Sequence, residues 1–188
     1  MTEYESFLAR KTLRVQAAGL TVIPELNPLL FPYQRDVLQW CLRLGKAAAF
    51  LGTGMGKSFL ELEWARIVSA ETGKPVILLA PLAVAHQLVR EAQKFGIRAD
   101  YYAAPQPDMQ GVVVTNYERL DAFDAGIFGG VVLDESSILK SFDGRTRTAI
   151  IERFKHTDYR LAATATPAPN DYMELGNHAE FLGVMTRP

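Results

Sequence analysis

The chain has 188 residues, 48% of them hydrophobic and 22% charged, with a formal net charge of −1. That length can bury one sizeable core, roughly 70% of the unfolded surface, and makes one domain the natural count. Near-neutral charge excludes bulk electrostatic attraction to nucleic acid, so any nucleic-acid path must be a local patch. The single cysteine, Cys41, excludes an internal disulfide; among Leu38, Leu42 and Leu44 it reads as a small core residue of a protein in a reducing compartment. No apolar stretch approaches the ~18 residues that span a bilayer. The N-terminus, with Glu3 and Glu5, lacks a signal-peptide form. These features predict a soluble cytoplasmic protein without a membrane partner.

Residues 1–24 show weak periodicity and read as an extension of unclear role; residues 25–188 read as the domain. The pattern predicts a helix over Tyr33 to Leu44, a strand over Ala47 to Leu51, and a helix from Lys57 to about Ala70, closed by Gly73 and Pro75. Val76 to Ala80 reads as a buried strand. A helix from Leu82 to Phe95 places Val84, Leu88, Ala92 and Phe95 at helical spacing, and Gly96 ends it. Short strands follow at Ala99 to Ala103, Val112 to Thr115 and Val131 to Leu133, β-branched runs typical of strands covered on both faces. A helix from about Gly144 to Lys155, a strand from Tyr159 to Thr164 and a helical tail from Asn170 to about Leu182 complete the chain. Alternating strands and helices predict an α/β fold, a central mostly parallel sheet with helices on both faces. Trp40 and Trp64 fall on helices and read as core anchors. His86, His156 and His178 lack metal-ligand spacing and read as surface or partly packed side chains.

The most informative segment is Leu51-Gly52-Thr53-Gly54-Met55-Gly56-Lys57-Ser58, between the first strand and the following helix. Glycines at 52, 54 and 56 permit positive φ, letting successive backbone N–H groups converge on one anion. The helix N-terminus aims partial positive charge at the same point. Lys57 adds a full charge for the β- and γ-phosphates, and the Ser58 hydroxyl suits Mg²⁺. This is a nucleoside-triphosphate cradle, although Leu51 stands where the general pattern opens with glycine. About 77 residues later, Val131-Val132-Leu133-Asp134-Glu135 ends a buried strand in two carboxylates. Asp134 is placed to hold Mg²⁺ and Glu135 to polarise an attacking water.

In this order, the motifs resemble the first RecA-like domain of superfamily 2 helicases, most closely the Swi/Snf-type DNA translocases, from about Leu30 to Leu182. The resemblance implies a RecA-like P-loop NTPase fold, ATP and Mg²⁺ as cofactors, and DNA as partner, duplex favoured and RNA not distinguished. Leu30-Phe31-Pro32-Tyr33-Gln34 resembles the adenine-reading segment, usually Leu-Arg-Pro-Tyr-Gln, in which Gln34 would select ATP. Pro81 and Leu82, then Thr115 and Asn116, resemble segments that lie against nucleic acid, and Lys140 with Arg145 and Arg147 would form a local basic edge. Ser136-Ser137 replaces the usual Ala-His or Ala-Asp after the acidic pair, so Ser137 takes the place of the coupling imidazole. Thr164-Ala165-Thr166-Pro167 resembles the coupling motif, with Thr164 and Thr166 linking nucleotide state to the nucleic-acid path.

The resemblance also implies a second RecA-like domain, which this chain does not contain, as the source of arginines that stabilise phosphoryl transfer. The expected function is the ATP-binding half of a DNA-dependent ATPase motor, weak or inactive without that second domain. The alternative is a non-catalytic, nucleotide-dependent nucleic-acid-binding or regulatory module.

Overall fold

The computed structural model describes residues 17–141, 144–168 and 174–185. Among them the helices are α1 (Pro32–Leu44), α2 (Lys57–Thr72), α3 (Leu82–Lys94), α4 (Ile138–Ser141), α5 (Gly144–Phe154) and α6 (Leu175–Phe181). The strands are β1 (Lys46–Phe50), β2 (Val76–Ala80), β3 (Ala99–Tyr101), β4 (Val112–Asn116), β5 (Gly130–Asp134) and β6 (Tyr159–Thr164). They form one sheet in the order β1-β6-β5-β2-β4-β3. Every neighbouring pair is parallel. The RecA-like expectation is met, and six strands are found where six were predicted.

The alternation of side chains along each strand divides the interior into two cores. Val76, Leu78, Val112, Val114, Val132 and Leu161 face one way, against Leu38, Leu60, Trp64 and Leu88 of α1, α2 and α3. Ile77, Leu79, Val113, Val131 and Leu133 face the other way, against Tyr117, Ile150, Phe154 and Phe181. Such two-sided burial explains why β2, β4 and β5 are apolar without alternation. Helix α2 is buried on most of its circumference, from Phe59 through Val68. It is the central helix of its layer, packed between α1 and α3.

Part of the N-terminal extension joins the fold. The N–H groups of Ala18, Gly19 and Leu20 donate to the carbonyls of Leu44, Arg43 and Leu42. These bonds satisfy the open end of α1, and Leu20 packs into the core. The packed unit therefore includes Ala18 to Leu20, ahead of residue 25.

Two expectations are corrected by packing. Trp64 is fully buried, whereas Trp40 is 52% exposed, because no element among the described residues covers its side of α1. His178 is buried rather than superficial.

Parallel strands bring their carboxyl ends to one edge of the sheet. Register pairs Phe50 with Thr164 and Asp134 with Ala163, so β6 lies between the strand entering the phosphate loop and the acidic strand. Open α/β sheets bind ligands at this edge.

Candidate nucleotide site

The chain leaves β1 at Phe50 and re-enters helical structure at Lys57. Gly54 and Gly56 turn the loop, with φ of +79° and +70°. Gly52 does not take a positive φ; its carbonyl accepts the Met55 N–H at 3.3 Å instead. The loop from Gly52 to Gly56, Thr53 and Met55 included, is exposed, and Lys57 and Ser58 are half-buried at the start of α2. Lys57 Nζ donates to the Leu51 carbonyl at 3.3 Å, which holds the ammonium beside the loop.

A cleft of about 470 Å³ is lined by Gly54, Gly56, Lys57 and Ser58 together with Asp134 and Glu135, and by Val84, Glu91 and Lys94 of α3. Lys57 and the acidic pair, far apart in sequence, therefore face one cavity. A larger pocket of about 670 Å³ lies among Lys74, Phe128, Arg153 and Tyr159, at the opposite ends of the strands.

Asp134 is 6% exposed, and its carboxyl is pushed up to about 6, first by burial and then by the charge of Glu135. Its main-chain carbonyl accepts the Tyr117 hydroxyl at 2.7 Å. Glu135 is the non-glycine residue with positive φ among those described, at +50°. Its Oε2 accepts the Thr164 hydroxyl at 3.2 Å, and Thr164 Oγ1 also accepts the Thr166 N–H at 3.1 Å. Backbone strain of this kind persists only where neighbours over-determine the conformation. Here Ile138 N–H donates to the Glu135 carbonyl and Ser136 N–H to the Ala163 carbonyl, both at 2.9 Å.

A second buried acid was not anticipated. Glu61, one turn along α2 from Lys57, is fully buried, and its oxygens have no hydrogen-bond partner among the described residues. Burial, and then the charge of Asp134, raise it well above the ordinary carboxylate range. The signal was available: an acid on the apolar circumference of a helix that opens a phosphate site. Glu63 is equally buried but paired, accepting from Asn27 N–H and from Arg66.

Of the two serines after the acidic pair, Ser136 is the one that meets an imidazole. Ser136 Oγ lies 3.0 Å from His178 Nε2, both buried, while Ser137 is half-buried. An imidazole therefore does reach the acidic motif, delivered by α6 from 42 residues away. The His178 ring also meets Phe50, the last residue of β1, edge to face at 5.3 Å.

Four expected contacts are placed differently. Gln34 is only 2% exposed, with both ends of its amide bonded inside the protein, so it does not present an adenine-reading edge. Thr115 is fully buried and donates to the Tyr102 carbonyl at 2.7 Å. Asn116, 4% exposed, accepts from the Tyr101 hydroxyl and donates to Glu118. Burial withdraws both side chains from phosphates; they shape the end of β4 instead. Leu82 is 55% exposed beside Pro81, which precedes α3. Arg147 donates to Asn177 at 3.3 Å rather than standing at a basic edge. Lys140 falls in α4, but its side chain, like that of Arg145, lies outside the described residues, as does Asn170.

Known proteins are similar to this chain in sequence and in fold. The chain is 28% identical over 181 residues to the helicase SWR1 of Candida albicans, covering 84% of this chain and 11% of that protein. It is 25% identical over 192 residues to the DNA excision repair protein ERCC-6-like of Bos taurus, covering 87% and 15%. The Sulfolobus solfataricus SWI2/SNF2 ATPase core in complex with dsDNA superposes with a TM-score of 0.68 at 21% identity, over 88% of this chain and 38% of that one. The chain resembles the Snf2-type ATPase domain of superfamily 2 helicases. The UvsW helicase of bacteriophage T4 shares the fold more distantly, with a TM-score of 0.67 at 14% identity, over 97% of this chain and 64% of that chain. No family model matches the sequence. The Snf2-type likeness thus spans most of this chain but only a small part of the curated relatives. No helix among the described residues is long and apolar enough to cross a membrane.

Proposed function

We propose that this chain is the ATP-binding half of a DNA-dependent ATPase motor that couples hydrolysis to movement along nucleic acid. The observation that carries this reading is the cleft shared by Lys57, Ser58, Asp134 and Glu135. Its donors fit a magnesium triphosphate. The phosphate loop offers backbone N–H groups, a lysine and a helix N-terminus to the anion. Ser58 and Asp134 offer hard oxygen ligands, which suit Mg²⁺. No group of three His, Cys, Asp or Glu among the described residues is arranged to hold a metal. Mg²⁺ would therefore share its coordination with phosphate oxygens, and when bound it supplies charge neutralisation for phosphoryl transfer.

The chain's own groups do the rest. Lys57 moves from the Leu51 carbonyl to the phosphates. Glu135 orients the attacking water, and Thr164, bonded to its carboxylate, reports on that carboxylate to the turn ending at Pro167. DNA would run along the carboxyl edge past Pro81 and Leu82, with duplex favoured by the Snf2-type likeness and RNA not distinguished. A second RecA-like domain, in cis or in trans, would close the cleft and supply the transition-state arginines.

The test measures Mg²⁺·ATP binding by this chain, then turnover with a second RecA-like domain present, with and without duplex DNA. Binding abolished by Lys57→Ala, with DNA-stimulated turnover only in the two-domain protein, supports the motor. Binding without turnover in the two-domain protein identifies a non-catalytic nucleotide-dependent module instead.

A further inference from the structure

The peptide that joins the two acids of the cleft is held by a side chain from another strand. A 3-10 helix over Tyr117–Ala122 follows β4. Tyr117 is buried in the core that also holds Leu79, Leu133 and Phe128. Between β4 and β5 runs β2, whose pairing with β5 ends at Leu79 and Leu133. One residue further along β5, the Tyr117 hydroxyl donates to the Asp134 carbonyl at 2.7 Å. A buried phenol thus reaches past the end of one strand to fix the main chain of the next.

The peptide it fixes is strained, because φ at Glu135 is +50°. A residue with a side chain leaves that region unless its neighbours impose it. The Ser136 and Ile138 N–H groups hold the chain after Glu135, through the Ala163 and Glu135 carbonyls. Tyr117 holds the peptide before it. In a trans peptide the N–H points away from the carbonyl. Here that N–H, of Glu135, lies near enough to the Asp134 carboxylate to favour its charged form. Turning the peptide over would return φ at Glu135 to the negative side and break the bond to Tyr117. It would also set a carbonyl oxygen against the Asp134 carboxylate. Core packing requires only the ring of Tyr117, which phenylalanine would supply equally well. The hydroxyl serves the peptide.

We propose that Tyr117 is a positioning residue of the nucleotide site, whose hydroxyl latches the Asp134–Glu135 peptide so that both carboxylates face the triphosphate cleft together. This rests on the nucleotide-binding reading above and deepens it, placing part of the metal affinity in a side chain that does not line the cleft.

Calorimetric titration of the 188-residue chain with ATP, once in Mg²⁺ and once in EDTA, tests it. Wild-type protein should bind ATP more tightly in Mg²⁺. Tyr117→Phe keeps the ring and removes the donor. It should weaken ATP in Mg²⁺ by about tenfold, the worth of one hydrogen bond. In EDTA its affinity should stay within about twofold of wild type, because the phosphate loop is untouched. Glycine takes positive φ without a side-chain penalty. In a Glu135→Gly background, Tyr117→Phe should therefore change Mg²⁺·ATP affinity by no more than about threefold, measured against Glu135→Gly alone. Thermal melting follows all four proteins. If Tyr117→Phe does not fold, the double variant decides: recovery of folding by glycine at 135 supports the latch, and a double variant equally unfolded leaves Tyr117 a core residue only.

Equal weakening in Mg²⁺ and EDTA, or no weakening in either, would overturn the proposal. So would a tenfold loss that persists in the Glu135→Gly background, since the hydroxyl would then act elsewhere than on the strained peptide. Wild-type protein that binds no ATP in either buffer would refute the nucleotide reading itself, a result distinct from these.

Discussion

The Thr164 hydroxyl lies 3.2 Å from the Glu135 carboxylate, across two adjacent strand ends. This contact joins the residue proposed to orient water to the turn proposed to sense nucleic acid, without an intervening side chain. Thr164→Val keeps the shape and removes the donor. In the two-domain protein, ATP affinity should hold within about twofold, while DNA-stimulated kcat falls about tenfold, the worth of one hydrogen bond to a charged group. Steady-state turnover with and without DNA measures it.

Lys57→Ala should abolish measurable Mg²⁺·ATP binding, since it removes the full positive charge beside the loop. Glu135→Gln should bind normally and lose hydrolysis in the two-domain protein by at least about a hundredfold. A hydrolytically normal Glu135→Gln would remove Glu135 from its assigned role.

Asp134 and Glu61 predict an unusual pH profile for the ligand-free protein. Both are raised by burial, Asp134 to about 6. The folded chain therefore binds more protons than the unfolded chain as pH climbs from about 4 to 6. Their stabilising contribution is complete below the unfolded values and is lost as pH rises through the folded ones. Asp134→Asn removes the ionisation, so it should raise the melting temperature at pH 7.5 and change little near pH 4. Two pKa units correspond to about 3 kcal/mol, reduced by sharing with Glu61, or about 5 °C in a chain of this size. Melting curves across pH 4 to 8 check this, and Mg²⁺·ATP should no longer stabilise the variant.

The buried pair of Ser136 and His178 should behave as a unit. Ser136→Ala leaves the imidazole nitrogen without that partner and should cost about 1–3 kcal/mol. His178→Leu strands the hydroxyl in the same way. The double variant should be more stable than the sum of the single losses predicts, by at least about 0.5 kcal/mol. Urea midpoints of the four proteins close the cycle.

Much of this site was readable along the chain because its parts are local. A glycine-rich turn with lysine and serine, and an apolar strand ending in two acids, each carry their chemistry within a few residues. Gln34 shows the limit of such reading: the motif located the residue correctly beside the phosphate loop, but which way its amide turned depended on Met55. Thr115 and Asn116 were found at a strand end, yet their hydroxyl and amide point to Tyr102, Tyr101 and Glu118. Trp40 and Trp64 occupy similar helical positions in sequence, and only the presence of a covering layer distinguishes them.

What the sequence determined by itself was the alternation of strands and helices, the phosphate loop and the acidic strand end. Apolar periodicity and turn chemistry act over a few residues, so they survive without tertiary information. What tertiary structure alone decided was adjacency. It placed β6 between β1 and β5, set Glu61 against Asp134, and carried the His178 imidazole to Ser136. Those pairs are separated by dozens of residues, and their energies arise from burial and contact, which exist only once the sheet is closed on both faces by its helices.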